Sequence, residues 1–467
     1  MRVLSAALFG VVLLIFLSSP RHITADWRPR KLATCDLHPK IEELMLNETK
    51  VWGSKGITED LVRSLHDPCP TSEVRIHACV KSQRILIKNG TVYVTNLMPV
   101  NGFGAIELIG FLVELYETSQ VYQLPDVEFS YWHDDNAPAE SVGHPDGTWS
   151  WPYPPHGLPP MLAWSKAKQH GALLVPYSGA FRCPHDSFDA LLNEVQRMSE
   201  TPWESKLAMA FGRWNIFCAW YYNGPHRMED GSASPCPRQY YNDLYYNHSD
   251  VLLTAGLTRN LTSGGVATPV SLHEQHNFKY LVSTDGWSIS SKFDKYLLLG
   301  SLILKAEGLT YGFYYPALEP YKHYVPIMQK HKNDILDMIE WAKTHDAEAQ
   351  RIAKAARRFA MRHLNRQARL CYIFRLITEL SKQMKYEVSC SRRPVCVPLV
   401  EELKFLSKYH LTTTKCRYEE VLGQYGWDDP DGLPEFSGYE ELKKRHEDIP
   451  QHILFGPRRA SKAKLRR

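Results

Sequence analysis

Three sets of polar residues each follow an apolar segment whose pattern is that of a β-strand. The sets are Asp134-Asp135 after 127–131, Gly212-Arg213 after 207–211, and the turn 285–292 after 280–282. In an open α/β sheet, ligands bind outside the carboxyl ends of the strands. The sequence therefore predicts that these three sets line one site.

The turn 285–292 has the composition of a phosphate-binding turn. Its candidate ligand-binding residues are Gly286, Ser288, Ser290, Ser291 and Lys292. Hydroxyls and the backbone N–H groups at a helix start can donate to phosphate oxygens, glycine permits a tight turn, and Lys292 adds a point charge. The same residues also suit an ordinary helix cap, so capping stays open as an equal alternative.

The other two sets are less specific. Arg213 could clamp a phosphate or a sugar hydroxyl, or could pair with a surface carboxylate. Adjacent carboxylates point in different directions, so one of Asp134 and Asp135 could act as a general base while the other caps a turn. An isolated acidic pair is usually structural, and the residues alone do not decide between these roles.

The common motifs of nucleotide, metal and hydrolase sites are missing from the sequence. It contains no GxGxxG, P-loop, HExxH, GxSxG or EF-hand pattern, and no CxxC pair that would suggest zinc. A DxD-like triplet at 429–431 lies between Gly and Pro residues, so we interpret it as a turn and not as a metal site.

The first 25 residues have the pattern of a secretory signal. Arg2 precedes the apolar run 3–17, which is shorter than the ~20 residues of a membrane-spanning helix, and Ala25 lies near a small-residue cleavage position. An uncleaved short anchor is the alternative, and only then would the protein be held at a membrane.

Cysteine content and glycosylation sequons agree with that compartment. The ten Cys form an even number that suits disulfides in an oxidising lumen, and we guess the local pairs Cys69–Cys79 and Cys390–Cys396. Four Asn-X-Ser/Thr sequons start at Asn47, Asn89, Asn247 and Asn260. We expect a protein of the endoplasmic reticulum or Golgi lumen, or a secreted one.

The overall pattern predicts an α/β fold with a mostly parallel sheet. A hairpin is expected over 74–95 with its turn at Asn89-Gly90, a helix over 105–117, and a loop over 137–160 that contains seven Pro. Strands then alternate with helices until about residue 333, after which the pattern is helical to about residue 380 and mixed over the last eighty residues.

Length and composition limit the class of protein. The 467 residues, 44% hydrophobic and 23% charged, suit two or three globular domains and exclude a disordered chain. A net charge of +4 on this length is too weak to suggest a nucleic-acid partner.

Within this frame, the stretch 279–327 resembles the Rumi-type protein O-glucosyltransferases and capsule-associated proteins of glycosyltransferase family 90. The matching pieces include Lys279-Tyr280-Leu281, Asp285-Gly286, Gly300-Ser301-Leu302, 313–318 and 323–326; further matches lie at 124–128, 164–166, 371–372 and 380–382. The resemblance covers roughly residues 50–387.

The resemblance implies a GT-B architecture, in which two Rossmann-like domains face a cleft. Its expected boundaries are 1–25 for the signal, 26–195 for the acceptor-side domain, 196–332 for the UDP-sugar domain, 333–390 for closing helices and 391–467 for an extension with a basic tail. It also implies an inverting transfer of glucose or xylose from a UDP-sugar to a hydroxyl of a protein or glycan, with no cofactor and no required metal.

The resemblance also assigns site residues. The family's catalytic aspartate falls on Asp135, with Asp134 as the alternative, its UDP-binding Ser and Arg fall on Ser290 and Lys292, and its FRG strand end falls on 211–213. Lys at 292 departs from the family's usual Arg at this position. The segment FGRWN, which starts at Phe211, departs from the family's FRGS. A catalytically inactive sugar- or nucleotide-binding relative is therefore the main alternative, and a two-carboxylate glycoside hydrolase is a weaker one.

Overall fold

In the computed structural model, the described residues fall into ten ranges. These are 35–65, 82–96, 103–135, 159–168, 171–177, 188–215, 217–248, 252–254, 270–393 and 395–403. Several sequence predictions lie outside them: the signal at 1–25, the pair Cys69–Cys79, the sequon at Asn260, most of the Pro-rich loop, the triplet 429–431 and the basic tail.

Six strands form a mixed sheet in the order β13-β2-β1-β3-β4-β6. They are β1 (Ser82–Lys88), β2 (Thr91–Val94), β3 (Val127–Trp132), β4 (Met161–Ala163), β6 (Leu173–Leu174) and β13 (Val397–Pro398). The predicted hairpin is confirmed over β1 and β2, which are antiparallel around Asn89 and Gly90, both with positive φ. Beyond this hairpin, β1 pairs antiparallel with β3 and β2 with β13, so this sheet is less parallel than the sequence pattern predicts.

Five strands form a second sheet in the order β12-β10-β9-β7-β8, and every pairing in it is parallel. They are β7 (Leu207–Gly212), β8 (Leu252–Thr254), β9 (Phe278–Ser283), β10 (Leu302–Ala306) and β12 (Val325–Ile327). All five residues of β10 are buried, as expected for a central strand covered on both faces. The predicted strand–helix alternation is confirmed here, and its strands end next to 213 and 284.

A short two-stranded pair connects segments from the two halves of the chain. β5 (Lys166–Ala167) pairs antiparallel with β11 (Thr310–Tyr311). The strand β13 likewise comes from beyond residue 390 but pairs with β2 in the first sheet. The domain boundaries drawn from the sequence stay a prediction.

Helices cover the sheets and dominate after residue 333. They are α1 (Pro39–Thr49), α2 (Glu59–Arg63), α3 (Phe103–Val121), α4 (Phe188–Ser199), α5 (Pro237–Asn247), α6 (Leu272–Gln275), α7 (Phe293–Leu298), α8 (Asp334–Thr344), α9 (Asp346–His363) and α10 (Arg366–Ser381). The predicted helix over 105–117 and the predicted helices after residue 333, which are α8 to α10, are both confirmed. No helix among the described residues is both long and apolar enough to cross a bilayer.

The helix α10 is fixed to the first half of the chain by a buried ion network. Arg369 donates from Nε to Glu114 of α3 at 2.7 Å and from Nη2 to Asp189 of α4 at 2.8 Å. The disulfide Cys35–Cys371 adds a covalent link to the same helix. These contacts hold α10 against the elements that surround the first sheet.

Three disulfides are present among the described residues. Cys390–Cys396 confirms the local pairing guessed from the sequence, whereas Cys35–Cys371 and Cys218–Cys236 were not predicted. The first of these spans 336 residues of sequence, and such a pairing cannot be read from Cys spacing.

Candidate functional site

Asp135 and the turn 285–292 meet in the folded chain. Asp135 follows β3 of the first sheet, whereas Ser288 follows β9 of the second. The Ser288 hydroxyl donates a hydrogen bond to Asp135 Oδ1 at 2.7 Å. Two of the three polar sets found in the sequence are therefore in direct contact, although they are separated by about 150 residues of chain.

Asp134 has a different environment from its neighbour. Its Oδ1 accepts a hydrogen bond from the backbone N–H of Asp135 at 2.8 Å. This is a local contact of the kind by which Asp side chains stabilise turns. The geometry thus separates the two carboxylates, with Asp134 bonded to its own turn and Asp135 bonded across to Ser288.

The turn itself is organised by Asp285, a buried residue that immediately precedes Gly286. Asp285 Oδ1 accepts from the Ser290 backbone N–H at 3.2 Å, and Oδ2 accepts from Tyr221 at 2.8 Å and Thr310 at 3.3 Å. Burial raises the pKa of Tyr221 and the adjacent carboxylate adds to this shift, so the phenol keeps its proton and donates. Asp285 is therefore a structural carboxylate whose oxygens are both engaged.

A further cation, Arg238, lies beside this turn and was missed in the sequence. Its Nη1 donates to Asn215 Oδ1 at 2.5 Å, its Nη2 to the Thr284 carbonyl at 3.1 Å, and its Nε to the Thr284 hydroxyl at 3.3 Å. Burial lowers the pKa of Arg238 to about 10, although the charges of Asp285 and Asp135 oppose that shift. The guanidinium thus connects the segments after β7 and β9 close to both carboxylates.

A signal for Arg238 does exist in the sequence. It is the second residue of α5, after Pro237, in a helical first turn where positive charge opposes the helix dipole. The Cys218–Cys236 disulfide ends at the N-cap of this helix and so helps to fix its start. A basic residue at this unfavourable position, just after a cysteine, marks a side chain retained for another reason.

Gly286 packs closely against Arg238. It does not adopt positive φ, so the turn does not require its conformational freedom. A Cβ placed on Gly286 would lie 3.0 Å from both terminal nitrogens of Arg238. The glycine is needed because the guanidinium packs closely over the backbone.

The third polar set, which follows β7, contacts the turn 285–292 through Lys292. The Lys292 ammonium donates to the Arg213 carbonyl, while the Arg213 guanidinium lies 5.4 Å from the Phe211 ring. Burial lowers the pKa of Arg213. A Cβ on Gly212 would collide with the Trp214 ring at 1.9 Å, so only glycine fits there. Lys292 thus connects the turn 285–292 to the segment that carries Arg213, and Arg238 packs against the same turn at Gly286.

Ser290 and Ser291 take part in local structure. The Lys292 backbone N–H donates to the Ser290 hydroxyl at 3.4 Å, and the Ser291 carbonyl accepts from Lys295 at 2.7 Å. The helix that follows, α7, has six residues and a short dipole. The expected helix-terminus contribution to phosphate binding is thus small, and positive charge at the site comes chiefly from side chains.

Other predicted modification and ligand features can be located in part. Asn47, Asn89 and Asn247 are exposed, as acceptors of N-linked glycans must be. Within the described ranges, no group of three or more His, Cys, Asp or Glu side chains is arranged to hold a metal ion.

Comparison with known proteins identifies the family. The model of "Glycosyl transferase family 90" matches residues 43–404. Human protein O-glucosyltransferase 3 is 31% identical over 147 residues, which are 31% of this chain and 29% of that protein. The mouse protein O-glucosyltransferase 3 is 36% identical over 120 residues (26% of this chain, 24% of that protein), and the rat protein O-glucosyltransferase 1 is 33% identical over 123 residues (26% and 31%). The matches span less than a third of each of these relatives, but the family model covers most of the chain, which therefore belongs to glycosyltransferase family 90.

Proposed function

We propose that this protein transfers glucose or xylose from a UDP-sugar to a hydroxyl of a protein or glycan acceptor, with inversion at the anomeric carbon. Relatives named protein O-glucosyltransferases favour a protein as acceptor and glucose as donor sugar. The observation that carries the proposal is the contact between Asp135 and Ser288. It puts one carboxylate next to a Gly/Ser turn that contains Lys292 and packs against Arg238.

Asp135 is the proposed general base. Its carboxylate takes the proton of the acceptor hydroxyl while that oxygen attacks the anomeric carbon, and such a base typically contributes ~10²–10⁴-fold in rate. The Ser288 hydroxyl donates to Oδ1 and so holds the carboxylate in one orientation. Each carboxylate oxygen has two lone pairs, so this hydrogen bond is compatible with uptake of the acceptor proton.

The leaving group is UDP, which departs from the face opposite to the attacking oxygen. The bond between the anomeric carbon and the phosphate oxygen breaks, and its electron pair remains on the diphosphate. Arg238, Arg213 and Lys292 are the proposed groups that stabilise this charge. The two arginines have planar guanidinium forks suited to phosphate, whereas Lys292 supplies a point charge. With three cations at this position, the proposed mechanism needs neither a metal ion nor a cofactor.

The proposed architecture is GT-B-like. Its support is the pair of sheets, one mixed and one fully parallel, whose strand ends meet at the contact between Asp135 and Ser288. The acceptor would lie on the side of the first sheet and the nucleotide on the side of the second. The proposed location is the lumen of the endoplasmic reticulum or Golgi, supported by the three disulfides and by exposed sequons.

A second candidate function is nucleotide-sugar binding without turnover. One observation favours it: the Lys292 ammonium already donates to the Arg213 carbonyl, so part of its hydrogen-bonding capacity is used within the protein. If Lys292 cannot stabilise the charge of the leaving diphosphate, the protein would still fold and bind the nucleotide sugar but would not transfer it.

One assay separates these candidates. The purified lumenal protein is incubated with UDP-glucose, UDP-xylose and other UDP-sugars, with and without a mixture of secretory proteins or glycans, and free UDP is measured. We expect UDP release from UDP-glucose or UDP-xylose that increases with acceptor. Measurable UDP affinity with no release from any donor would favour the binding protein, and the absence of any UDP affinity would contradict both.

A further inference from the structure

Two exposed aromatic rings lie at the edge of the candidate site. Phe217 is 43% exposed and Trp287 is 49% exposed, although most aromatic side chains of the described chain are buried. The two rings contact each other, with centroids 4.3 Å apart and planes 31° apart. Together they form an apolar surface, which we call the aromatic platform.

In the chain, both residues of the aromatic platform lie within two residues of groups that contact Asp135 or Arg238. Trp287 lies between Gly286, which packs under Arg238, and Ser288, which donates to Asp135. Phe217 follows Asn215 by two residues, and Asn215 accepts from Arg238. Each ring of the platform therefore has a hydrogen-bonding residue close to it in the chain, Ser288 for Trp287 and Asn215 for Phe217.

This combination has the chemistry of a carbohydrate site. The C–H face of a pyranose is apolar and packs against an aromatic ring, while its hydroxyls need nearby amides, guanidinium groups or carboxylates. An apolar protein side chain would instead need a pocket with few polar groups, because unpaired polar groups at an interface are costly. The neighbouring Asn215, Arg238 and Asp135 side chains therefore favour a sugar over an apolar peptide group.

We propose that Phe217 and Trp287 pack against the ring of the donor sugar that is transferred. The inference rests on the proposed function, and it names the part of the UDP-sugar that this surface recognises. Both rings come from segments that follow strands of the parallel sheet, β7 and β9, whose turn and Arg238 are the proposed diphosphate-binding elements. The sugar is bonded directly to that diphosphate and must also come within reach of Asp135.

Two other ligand groups would leave different signatures. If the rings stacked on uracil, their removal would weaken binding of UDP itself. If they contacted the acceptor, their removal would slow transfer without changing donor affinity. Only contact with the donor sugar changes the difference in affinity between the UDP-sugar and UDP.

The experiment measures dissociation constants of UDP, UDP-glucose and UDP-xylose for the full chain by calorimetry. The variants are Phe217→Ala, Trp287→Ala and the milder Trp287→Phe, which guards against a folding defect. Leu207→Ala is the matched control, because Leu207 is 52% exposed and lies at the opposite end of β7. We use whichever of the two UDP-sugars the wild type binds more tightly.

We expect each alanine variant to lose roughly three- to tenfold in affinity for the UDP-sugar, with UDP affinity unchanged and Trp287→Phe close to wild type. The control should bind both ligands as the wild type does. An equal loss for UDP and UDP-sugar, no loss for either, or a loss confined to acceptor transfer would each overturn the inference while leaving the proposed function standing. Failure of the wild type to bind UDP at all would overturn the proposed function and this inference with it.

Discussion

Replacing Arg238 tests which cation holds the donor diphosphate. Its guanidinium is positioned by Asn215 and by both oxygens of Thr284, at 2.5 to 3.3 Å. A hydrogen bond to a charged group contributes about 1.5–3 kcal/mol. Loss of one such bond to the diphosphate in Arg238→Met should therefore weaken UDP binding about 10- to 150-fold.

Two further variants, one at Arg238 and one at Gly286, should give intermediate losses of UDP affinity. Arg238→Lys keeps the charge but cannot span Asn215 and Thr284 at once, so its affinity should lie between those of the wild type and Arg238→Met. Gly286→Ala would put a methyl group 3.0 Å from both terminal nitrogens of Arg238 and displace them by a few tenths of an ångström, so its loss should be smaller than that of Arg238→Met.

The assay is calorimetric titration with UDP, accompanied by the melting temperature of each variant. Arg351→Met is the matched control, since this exposed arginine pairs with Glu348 on α9, away from the site. UDP affinity of a folded Arg238→Met protein equal to that of the wild type would refute the assignment of Arg238 as a diphosphate ligand.

Three other predictions concern the site and the fold. Ser288→Ala should lower kcat/KM about tenfold or more and shift its acidic limb to higher pH, because the Asp135 carboxylate loses a donor; an unchanged pH profile would contradict this. Arg369→Met should lower the free energy of unfolding by about 3–5 kcal/mol in urea titrations, because Glu114 is left buried without its partner, and a loss under about 1 kcal/mol would contradict it. Burial lowers the pKa of Lys206 to about 7, so the unfolded chain binds more protons between pH 7 and 10 and the wild type should gain stability over that range relative to Lys206→Met. Melting temperatures of both proteins at pH 6.5 and 9.5 test this, and a constant difference would contradict it.

The elements that sequence reasoning recovered are those whose signals are local. The Asn89-Gly90 turn and the apolar segment 207–211 each carry enough information in a few residues to predict a hairpin and a strand. The rule that ligands gather at strand ends then linked the pair Asp134-Asp135 to the turn 285–292, and Asp135 contacts that turn through Ser288. The choice of Asp135 within the pair came from the family resemblance.

The features that sequence reasoning missed depend on contacts between distant parts of the chain. Cys35 and Cys371 pair across 336 residues, and no spacing rule predicts such a partner. Arg238 gains its position only because α5 starts beside the ends of β7 and β9, and Gly286 is required by that neighbour and not by its own backbone conformation. Mixed pairing in the first sheet likewise depends on which strands become neighbours in space.

Asp135 is the residue on which the whole account depends, and a comparison of Asp135→Asn with Asp134→Asn tests it most directly. Both variants are assayed for sugar transfer and for UDP affinity. We predict that Asp135→Asn abolishes transfer and keeps UDP binding, whereas Asp134→Asn, which alters a local turn contact, retains most of the activity. Full transfer activity in Asp135→Asn would contradict the account.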